Sequence, residues 1–244
     1  MTEIAIAYDV PDLRAALALD ERLGEGPELA KIGLELFTAT GPEAVRELRA
    51  RGRRVILDLK LHDIPNTVRG AARSAARLGA ELLTVHAFGG GAMIAAAALG
   101  AREGSAEREG PETRVVAVTL LTSLDAFNLP PGFETPFFPD LVIARLVTLA
   151  ETSGAHGVVC AAPDLPGLRA LLRRPFYAVT PGIRPHGGAK NDQARVATVA
   201  EAVRMGSSLL VLGRAVTSAM DPAAALAEAR AERDAAIEAS PTPS

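Results

Sequence analysis

This 244-residue chain has few of the residues that mark several protein classes. It has one cysteine, Cys160, so it forms no internal disulfide, which is typical of a reducing compartment. It has no tryptophan and only 4% aromatic residues, which argues against a surface that stacks on nucleic-acid bases. No apolar run approaches the ~20 residues that span a bilayer. The first ten residues include Glu3 and Asp9 and no basic segment, unlike a signal peptide.

The overall balance of residues is that of an ordinary globular protein. A formal net charge of -3 argues against nucleic acid or an anionic membrane as a partner. Apolar residues make up 48% of the chain and charged residues 23%, which suits a single domain with a sizeable core. No linker or low-complexity block divides the chain. We therefore expect a cytoplasmic protein with one domain over residues 1–234 and a disordered tail over residues 235–244.

Short apolar segments with a β-branched character recur along the chain and alternate with amphipathic helical segments. Several of the helical segments end in glycine, which is the usual residue just past a helix. Eight such strands over this length predict an α/β fold, a (β/α)8 TIM barrel, with a doubly wound open sheet as the alternative. No GxGxxG follows the first strand, which weakens that alternative. The strand segments are IAIAYD, LAKIGLEL, RVILDLK, LLTVHAF, RVVAVTLL, GVVCAA, FYAVTPGI and SLLVLGRAV.

The third strand segment, with the residues after it, reads VILDLKLHDIPNT and carries unusual charges for a buried strand. Asp58 and Lys60 are two residues apart and are expected on the same face. Buried charges cost several kcal/mol unless partners compensate them, so this pair suggests chemistry. Asp63 follows past the strand, and Pro65 is a typical first residue of a helix. The alternative is a structural ion pair at a barrel rim.

Other polar residues fall at the predicted strand ends, where the active site of a TIM barrel lies. Gly182 with Arg184 and Gly213 with Arg214 follow strands seven and eight, which is the usual phosphate site of such barrels. His86 suits a packed or rim position as well as a catalytic one. No metal-binding spacing, nucleophile–base arrangement or Walker-type loop is present, so we expect no metal and no cofactor. The remaining strand-end candidates are Asp9, Lys31, Glu35, Thr122, Ser123 and Thr180.

The segment DLKLHDIPNT resembles the signature of the orotidine 5'-phosphate decarboxylase family. The similarity covers almost the whole chain, since AYDVPDLRAAL, KIGLELFTATGPE, VTLLTSLD and TPGIRPHGGAKNDQARVATVAEAV resemble other parts of that family. The motif DxKxxD alone is shared with related sugar-phosphate barrels. Its extension through IPNT, together with GIR, DQ and GR, is far more specific.

The resemblance implies a role for each matched residue. Lys31, Asp58, Lys60 and Asp63 form the catalytic lysine–carboxylate network at the reacting carbon. Asp63 and Thr67 serve the active site of a second copy, which implies a homodimer. The implied substrate-binding residues are Asp9, Lys31 and Thr67 for the ribose, Ser123 for the pyrimidine, and Arg184, Gln193, Gly213 and Arg214 for the 5'-phosphate.

The reaction that the resemblance implies is cofactor-free loss of CO2 from orotidine 5'-phosphate, which gives UMP and ends de novo pyrimidine nucleotide synthesis. Lys60 is expected to protonate C6 of the pyrimidine. One alternative is a Mg²⁺-dependent sugar-phosphate decarboxylase or aldolase on the same barrel, with Glu35 and Asp58 as ligands. Another is a non-catalytic barrel that binds nucleotides. The role of the long connection over residues 126–140 stays open, and residues 184–193 are expected to grip the phosphate.

Overall fold

A computed structural model describes residues 2–124, 138–169, 171–172, 176–184 and 196–239. Within them, one parallel sheet forms the centre of the fold, and its strands correspond to the eight apolar segments of the sequence. A two-residue strand, β8, pairs with the carboxyl end of β7. The strands are β1 (Glu3–Ala7), β2 (Leu29–Gly33), β3 (Arg54–Leu61), β4 (Leu82–His86), β5 (Arg114–Val118), β6 (Gly157–Val159), β7 (Tyr177–Arg184), β8 (Ala197–Thr198) and β9 (Leu209–Leu212).

The sheet closes on itself. Strands β1 to β6 pair in chain order, β1 also pairs with β9, β9 pairs with β7, and β7 pairs with β6. Every one of these pairings is parallel. A doubly wound open sheet would leave two free edges, so the predicted TIM barrel is confirmed and its alternative is wrong.

Helices follow the strands and cover the outside of the barrel. Gly24, Gly52 and Gly79 lie just past three of them with φ of 65°, 81° and 82°, as their helix-ending role predicts. No helix of the described ranges is both long enough and apolar enough to cross a bilayer. The helices are α1 (Leu13–Arg22), α2 (Leu34–Thr40), α3 (Glu43–Ala50), α4 (Pro65–Arg77), α5 (Gly90–Ala106), α6 (Pro139–Thr152), α7 (Leu165–Arg169), α8 (Val199–Met205), α9 (Arg214–Thr217) and α10 (Pro222–Glu238).

The apolar core has two parts because strand residues alternate between the two faces of the sheet. The larger part lies between the strands and the helices. The smaller part fills the barrel interior with residues such as Ala5, Leu29, Ile56 and Leu209. The charged residues near the carboxyl ends of the strands therefore lie next to an apolar barrel interior, which limits the access of water from the opposite end of the barrel.

The opposite end of the barrel is closed by an ion-pair network centred on Arg54. Its guanidinium donates to Glu81 at 2.5 and 2.6 Å and to Glu3 at 2.5 Å. Arg114 donates to Glu81 at 2.7 Å and lies 4.4 Å from the ring centroid of Tyr177. This network joins the beginnings of five strands, β1, β3, β4, β5 and β7, at the end of the barrel away from the mouth.

Regular pairing breaks at two places in the barrel. Between β3 and β4, Leu57 pairs with Leu83 but Leu61 pairs with Val85, so β3 contains two extra residues. Between β7 and β9, a shorter irregularity falls just before Ile183. Bulges of this kind redirect side chains and often lie beside active sites. Both lie toward the carboxyl ends of their strands.

Two element boundaries differ from the sequence expectation. The second strand ends at Gly33, so Glu35 lies in the first turn of α2 and not at a strand end. The last helix continues to Glu238, four residues past the expected domain boundary at 234, because Ala236 is still buried against the core. Pro65 begins α4 as predicted. Most of the connection over residues 126–140 lies outside the described residues.

Candidate active site

A cavity of about 1030 Å³ opens at the carboxyl ends of the barrel strands. Its position is the one at which TIM-barrel enzymes carry their active sites. Many of the candidate residues that the sequence predicts line it, together with Gly33 and Thr84, which the sequence analysis did not identify. The predicted residues that line the cavity are Asp9, Lys31, Asp58, Lys60, Thr122, Gly182, Arg184, Gly213 and Arg214.

Four charged side chains form a chain of alternating sign along one wall of this cavity. Lys31 Nζ lies 3.0 Å from Asp9 Oδ1 and 3.5 Å from Asp58 Oδ2. Lys60 Nζ lies 2.8 Å from Asp58 Oδ1. The side chains of Lys31 and Asp58 are only 11% and 15% exposed, whereas that of Asp9 is 56% exposed. The side chains of Lys31 and Asp58, in the middle of this row, are therefore largely shielded from water. Those of Asp9 and Lys60, at its two ends, are more exposed to the cavity.

Asp58 is the centre of this arrangement. Its burial raises the pKa of the carboxyl, but attraction to Lys31 and Lys60 and hydrogen bonds from Lys60 and Thr84 outweigh burial, so the net pKa is lowered. Asp58 is thus held as a carboxylate at neutral pH. A buried negative charge kept between two ammonium groups is suited to acting on a substrate that brings a further charge.

The bulge in β3 shapes this wall in a way that strand alternation does not describe. Lys60 has a φ of 47° and is the one non-glycine residue with positive φ in the part of the chain that the structure describes. A regular strand explains that Asp58 and Lys60 share a face, but here the face is bent by two extra residues. Left-handed backbone of this kind is strained and concentrates at functional sites.

Gly33, at the end of β2, makes room for the outer ion pair. A Cβ added there would lie 2.8 Å from Asp9 Oδ1 and 3.1 Å from Lys31 Nζ. These separations are too short for carbon beside charged atoms, so a larger residue would displace the pair. The signal for this role in the sequence is weak, because one glycine two residues after a lysine has many explanations.

The residues expected to hold a phosphate lie at the carboxyl ends of β7 and β9, which are paired with each other. Gly182 has a φ of 76°, a conformation that favours glycine, and it precedes Arg184 in the irregular end of β7. Gly213 lies directly before the short helix α9, whose first residue is Arg214. Two guanidinium groups at the carboxyl ends of neighbouring barrel strands are suited to binding a phosphate. Gln193 lies outside the described residues.

Comparison with known proteins agrees with this geometry. Residues 2–229 match the model of the family described as "Orotidine 5'-phosphate decarboxylase / HUMPS family". The chain belongs to this family. The resemblance that the sequence motifs indicate is therefore confirmed.

Several proteins named as orotidine 5'-phosphate decarboxylases are similar to this chain over nearly their whole length. The orotidine 5'-phosphate decarboxylase of Anaeromyxobacter dehalogenans is 51% identical over 223 residues, which cover 91% of this chain and 94% of that protein. That of Moorella thermoacetica is 47% identical over 232 residues, with 94% and 91% covered. A crystal structure of orotidine 5'-phosphate decarboxylase from Lactobacillus acidophilus superposes with a TM-score of 0.84 at 33% identity and covers 96% of this chain.

Three of the residues that the family resemblance singles out do not line the cavity of their own chain. Asp63 and Thr67 lie at the exposed start of α4, and Asp63 Oδ1 accepts a hydrogen bond from the backbone N–H of Ile64 at 2.6 Å. Ser123 is exposed beside Thr122, which does line the cavity. One chain therefore brings together Asp9, Lys31, Asp58 and Lys60 but leaves Asp63 apart from them.

His86 and Glu35 also lie outside the cavity lining. His86 is half-buried and stacks on His62, with ring centroids 5.5 Å apart. Burial lowers the pKa of His86, and the nearby His62 and Lys60 lower it further. Glu35 is exposed on α2. Within the described ranges, no three His, Cys, Asp or Glu side chains lie close enough together to hold a metal ion.

Proposed function

We propose that this chain decarboxylates orotidine 5'-phosphate to UMP and CO2, the last step of de novo pyrimidine nucleotide synthesis. The observation that carries the proposal is the alternating chain of Asp9, Lys31, Asp58 and Lys60 in the barrel mouth of a member of this family. The names of relatives that are 43–51% identical support it. No cofactor is required for the steps that follow.

Lys60 is the proposed acid. The bond between C6 of the pyrimidine and the substrate carboxylate breaks, and its electron pair remains on C6. The ammonium of Lys60 stabilises this developing negative charge and then gives its proton to C6. Solvent returns the proton to Lys60 after the products leave. The Lys60 side chain is 32% exposed, so solvent can reach it in the open barrel.

Asp58 and Lys31 complete the proposed reaction centre. A substrate carboxylate near Lys60 would lie close to Asp58, and the repulsion between the two carboxylates is relieved when CO2 leaves. Lys31 lies between Asp58 and Asp9, so it offsets the charge of both and fixes the position of Asp58. Asp9, which is the most exposed of the four, is free to accept hydrogen bonds from ribose hydroxyls while still contacting Lys31.

The phosphate is proposed to bind at Arg184, Gln193, Gly213 and Arg214. The contacts with the phosphate do not act on C6 directly. They hold the substrate so that the reacting bond lies against Lys60, and their binding energy thereby contributes to the chemical step. Ser123 is proposed to hydrogen-bond the pyrimidine, next to the lining residue Thr122.

The proposed active unit is a cytoplasmic homodimer in which Asp63 and Thr67 enter the partner's site. Residues 62–67 are exposed in the single chain, and Ile64 leaves 66% of its surface exposed beside Asp63. An apolar side chain flanked by a carboxylate and a hydroxyl is suited to an interface that also carries polar function. The single cysteine fits a reducing compartment.

The decisive test is turnover of orotidine 5'-phosphate, followed by absorbance with and without EDTA. Turnover that EDTA leaves unchanged supports the proposal. Loss of turnover in EDTA favours a Mg²⁺-dependent enzyme, and tight UMP binding without turnover favours a nucleotide-binding barrel. The geometry does not favour the Mg²⁺-dependent alternative, because Glu35, one of its two expected ligands, does not line the cavity.

Lys60→Ala tests the mechanism. We expect the rate of decarboxylation to fall by at least about 10³-fold while UMP still binds. The substitution removes both the proton donor and the positive charge that stabilises the developing negative charge on C6. The matched control is Arg77→Ala, which removes a half-exposed cation paired with Glu107 at the far end of α4. Near-normal turnover of Lys60→Ala would exclude Lys60 as the acid.

Mixed dimers test the contribution of the second subunit. Lys60→Ala and Asp63→Asn chains are each expected to be inactive alone. After they are unfolded and refolded together, random pairing gives dimers in which about a quarter of all sites combine Lys60 of one chain with Asp63 of the other. Recovery of about a quarter of wild-type activity supports sharing across the interface. No recovery, despite confirmed mixed dimers, would mean that both residues serve the site of their own chain.

A further inference from the structure

Thr84 lies on β4 at the point where β3 and β4 lose their regular pairing. Leu57 pairs with Leu83 and Leu61 with Val85, so a step of four residues on β3 is matched by a step of two on β4. Thr84 is therefore the one β4 residue that faces the whole bulge. Its side chain points into the barrel mouth, where it lines the cavity, and only 2% of the residue is exposed.

The hydroxyl of Thr84 connects two parts of the proposed reaction centre. Its Oγ1 accepts a hydrogen bond from the backbone N–H of Lys60 at 2.9 Å and donates one to Asp58 Oδ1 at 3.0 Å. A hydroxyl has one proton, and a backbone N–H can only donate, so the direction of both bonds is fixed. Asp58 Oδ1 also accepts from Lys60 Nζ at 2.8 Å. The three groups thus form a closed ring of hydrogen bonds.

We propose that Thr84 is a positioning residue for the decarboxylation, and that its hydroxyl holds the backbone of Lys60 and the carboxylate of Asp58 in the arrangement that directs the ammonium at C6. This inference rests on the proposed function. Lys60 has left-handed backbone, with φ of 47°, and such a conformation persists only where the surroundings hold it. The hydroxyl of Thr84, on the neighbouring strand, holds this conformation by accepting the hydrogen bond from the Lys60 backbone, where the regular pairing of β3 with β4 is interrupted.

A purely structural role for Thr84 makes a different prediction. If the hydroxyl only satisfied a buried N–H, its loss would lower stability and leave the chemistry of the folded enzyme intact. If it positions the ring, its loss lets Lys60 and Asp58 move, and a displacement of a reacting group by ~1 Å is worth about 100-fold in rate. The phosphate and ribose contacts would stay, so substrate binding is expected to change little.

The experiment compares Thr84→Val, which keeps the shape and loses the hydroxyl, with Thr84→Ser, which keeps the hydroxyl. We expect Thr84→Val to lower kcat by at least about 10-fold with KM within about threefold, and Thr84→Ser to stay within about threefold of wild type in kcat. The acidic limb of the kcat profile should move to higher pH in Thr84→Val, because Asp58 loses a hydrogen bond that lowers its pKa.

Thr113→Val is the matched control. Thr113 is fully buried at the other end of the barrel, and its hydroxyl donates to the carbonyl of Ala80 at 2.6 Å. This variant should lower the unfolding midpoint without changing kcat. If Thr84→Val does not fold, Thr84→Ala provides the same comparison against Thr84→Ser.

The outcomes separate this inference from the proposed function. A wild-type chain that does not decarboxylate orotidine 5'-phosphate refutes the function, and the inference falls with it. Given an active wild type, a kcat of Thr84→Val within about twofold of wild type would refute the positioning role alone. A loss in Thr84→Ser as large as in Thr84→Val would also refute it, because the hydroxyl would then not be what matters.

Discussion

Lys60 is a position at which glycine should stabilise the fold more than alanine does. In the left-handed region a Cβ costs about 1–2 kcal/mol, and the φ of Lys60 is 47°. Glycine avoids that cost but loses about 0.5–1 kcal/mol through the greater freedom of the unfolded chain. Both substitutions remove the ammonium and its 2.8 Å contact with Asp58, so that loss cancels in the comparison. We expect Lys60→Gly to be more stable than Lys60→Ala by about 0.75 kcal/mol, the midpoint of a range of about 0–1.5 kcal/mol.

The neighbouring residue supplies a control with the opposite sign. Leu59 lies in the same bulge, does not have positive φ, and packs partly against the outer core. Alanine and glycine at this position both remove the packing side chain. There we expect Leu59→Gly to be less stable than Leu59→Ala by about 0.5–1 kcal/mol, which is the ordinary order for a strand.

Urea unfolding of the four variants, followed by far-ultraviolet circular dichroism, measures both differences. Equal slopes against denaturant concentration within each pair are needed for the midpoints to report stability. A Lys60→Gly variant that is no more stable than Lys60→Ala would refute the strained backbone. If both pairs favoured glycine, the difference would come from the bulge in general and not from the φ of one residue.

Three further predictions concern charged and titrating residues. Arg214→Ala should weaken the binding of UMP at least about 10-fold and leave that of uridine nearly unchanged, because only the phosphate contact is lost; equal weakening of both ligands would contradict it. Arg54→Lys should lower the free energy of unfolding by about 1 kcal/mol, since lysine cannot make the forked contact with two carboxylates, and kcat should not change. Burial, and then His62 and Lys60, lower the pKa of His86, so the folded state binds fewer protons than the unfolded state and stability falls as pH drops below 6.5. His86→Asn should flatten that slope in thermal unfolding, and an unchanged slope would show that His86 does not titrate in this way.

The barrel was predictable from the sequence because its signals are local and repeated. Each buried strand is a short apolar run, and the helix ends carry glycines such as Gly24 and Gly79, whose positive φ the structure confirms. The same logic located Asp58 and Lys60, since two charges in an apolar run must face a place where charge is useful. These inferences needed only neighbouring residues and the rule that strand carboxyl ends meet at one mouth.

The bulge, Gly33 and Thr84 were not predictable because their roles depend on residues far away in the chain. Thr84 is two residues past Leu82 and shares its inward strand face, which places it inside the barrel, but nothing nearby indicates that its partners are Asp58 and Lys60. The two extra residues of β3 are visible only when β3 is paired with β4. A weak signal existed, since a threonine at an inward position of an apolar strand is itself unusual.

The two ends of the barrel differ in how they contribute to stability. The interactions at the strand beginnings stabilise the fold, whereas several features at the mouth destabilise it. At the strand beginnings, Arg54 is matched by carboxylates on both sides and the pairing is regular. At the mouth, a bulge, a residue in left-handed conformation and a buried carboxylate between two ammonium groups lie within three residues of one strand, Asp58 to Lys60. Each of these features costs free energy that a simpler strand would not lose, and together they fix one ammonium in one direction. Substitutions that remove strain at the mouth should therefore cost activity and gain stability, whereas those at the other end should cost stability alone.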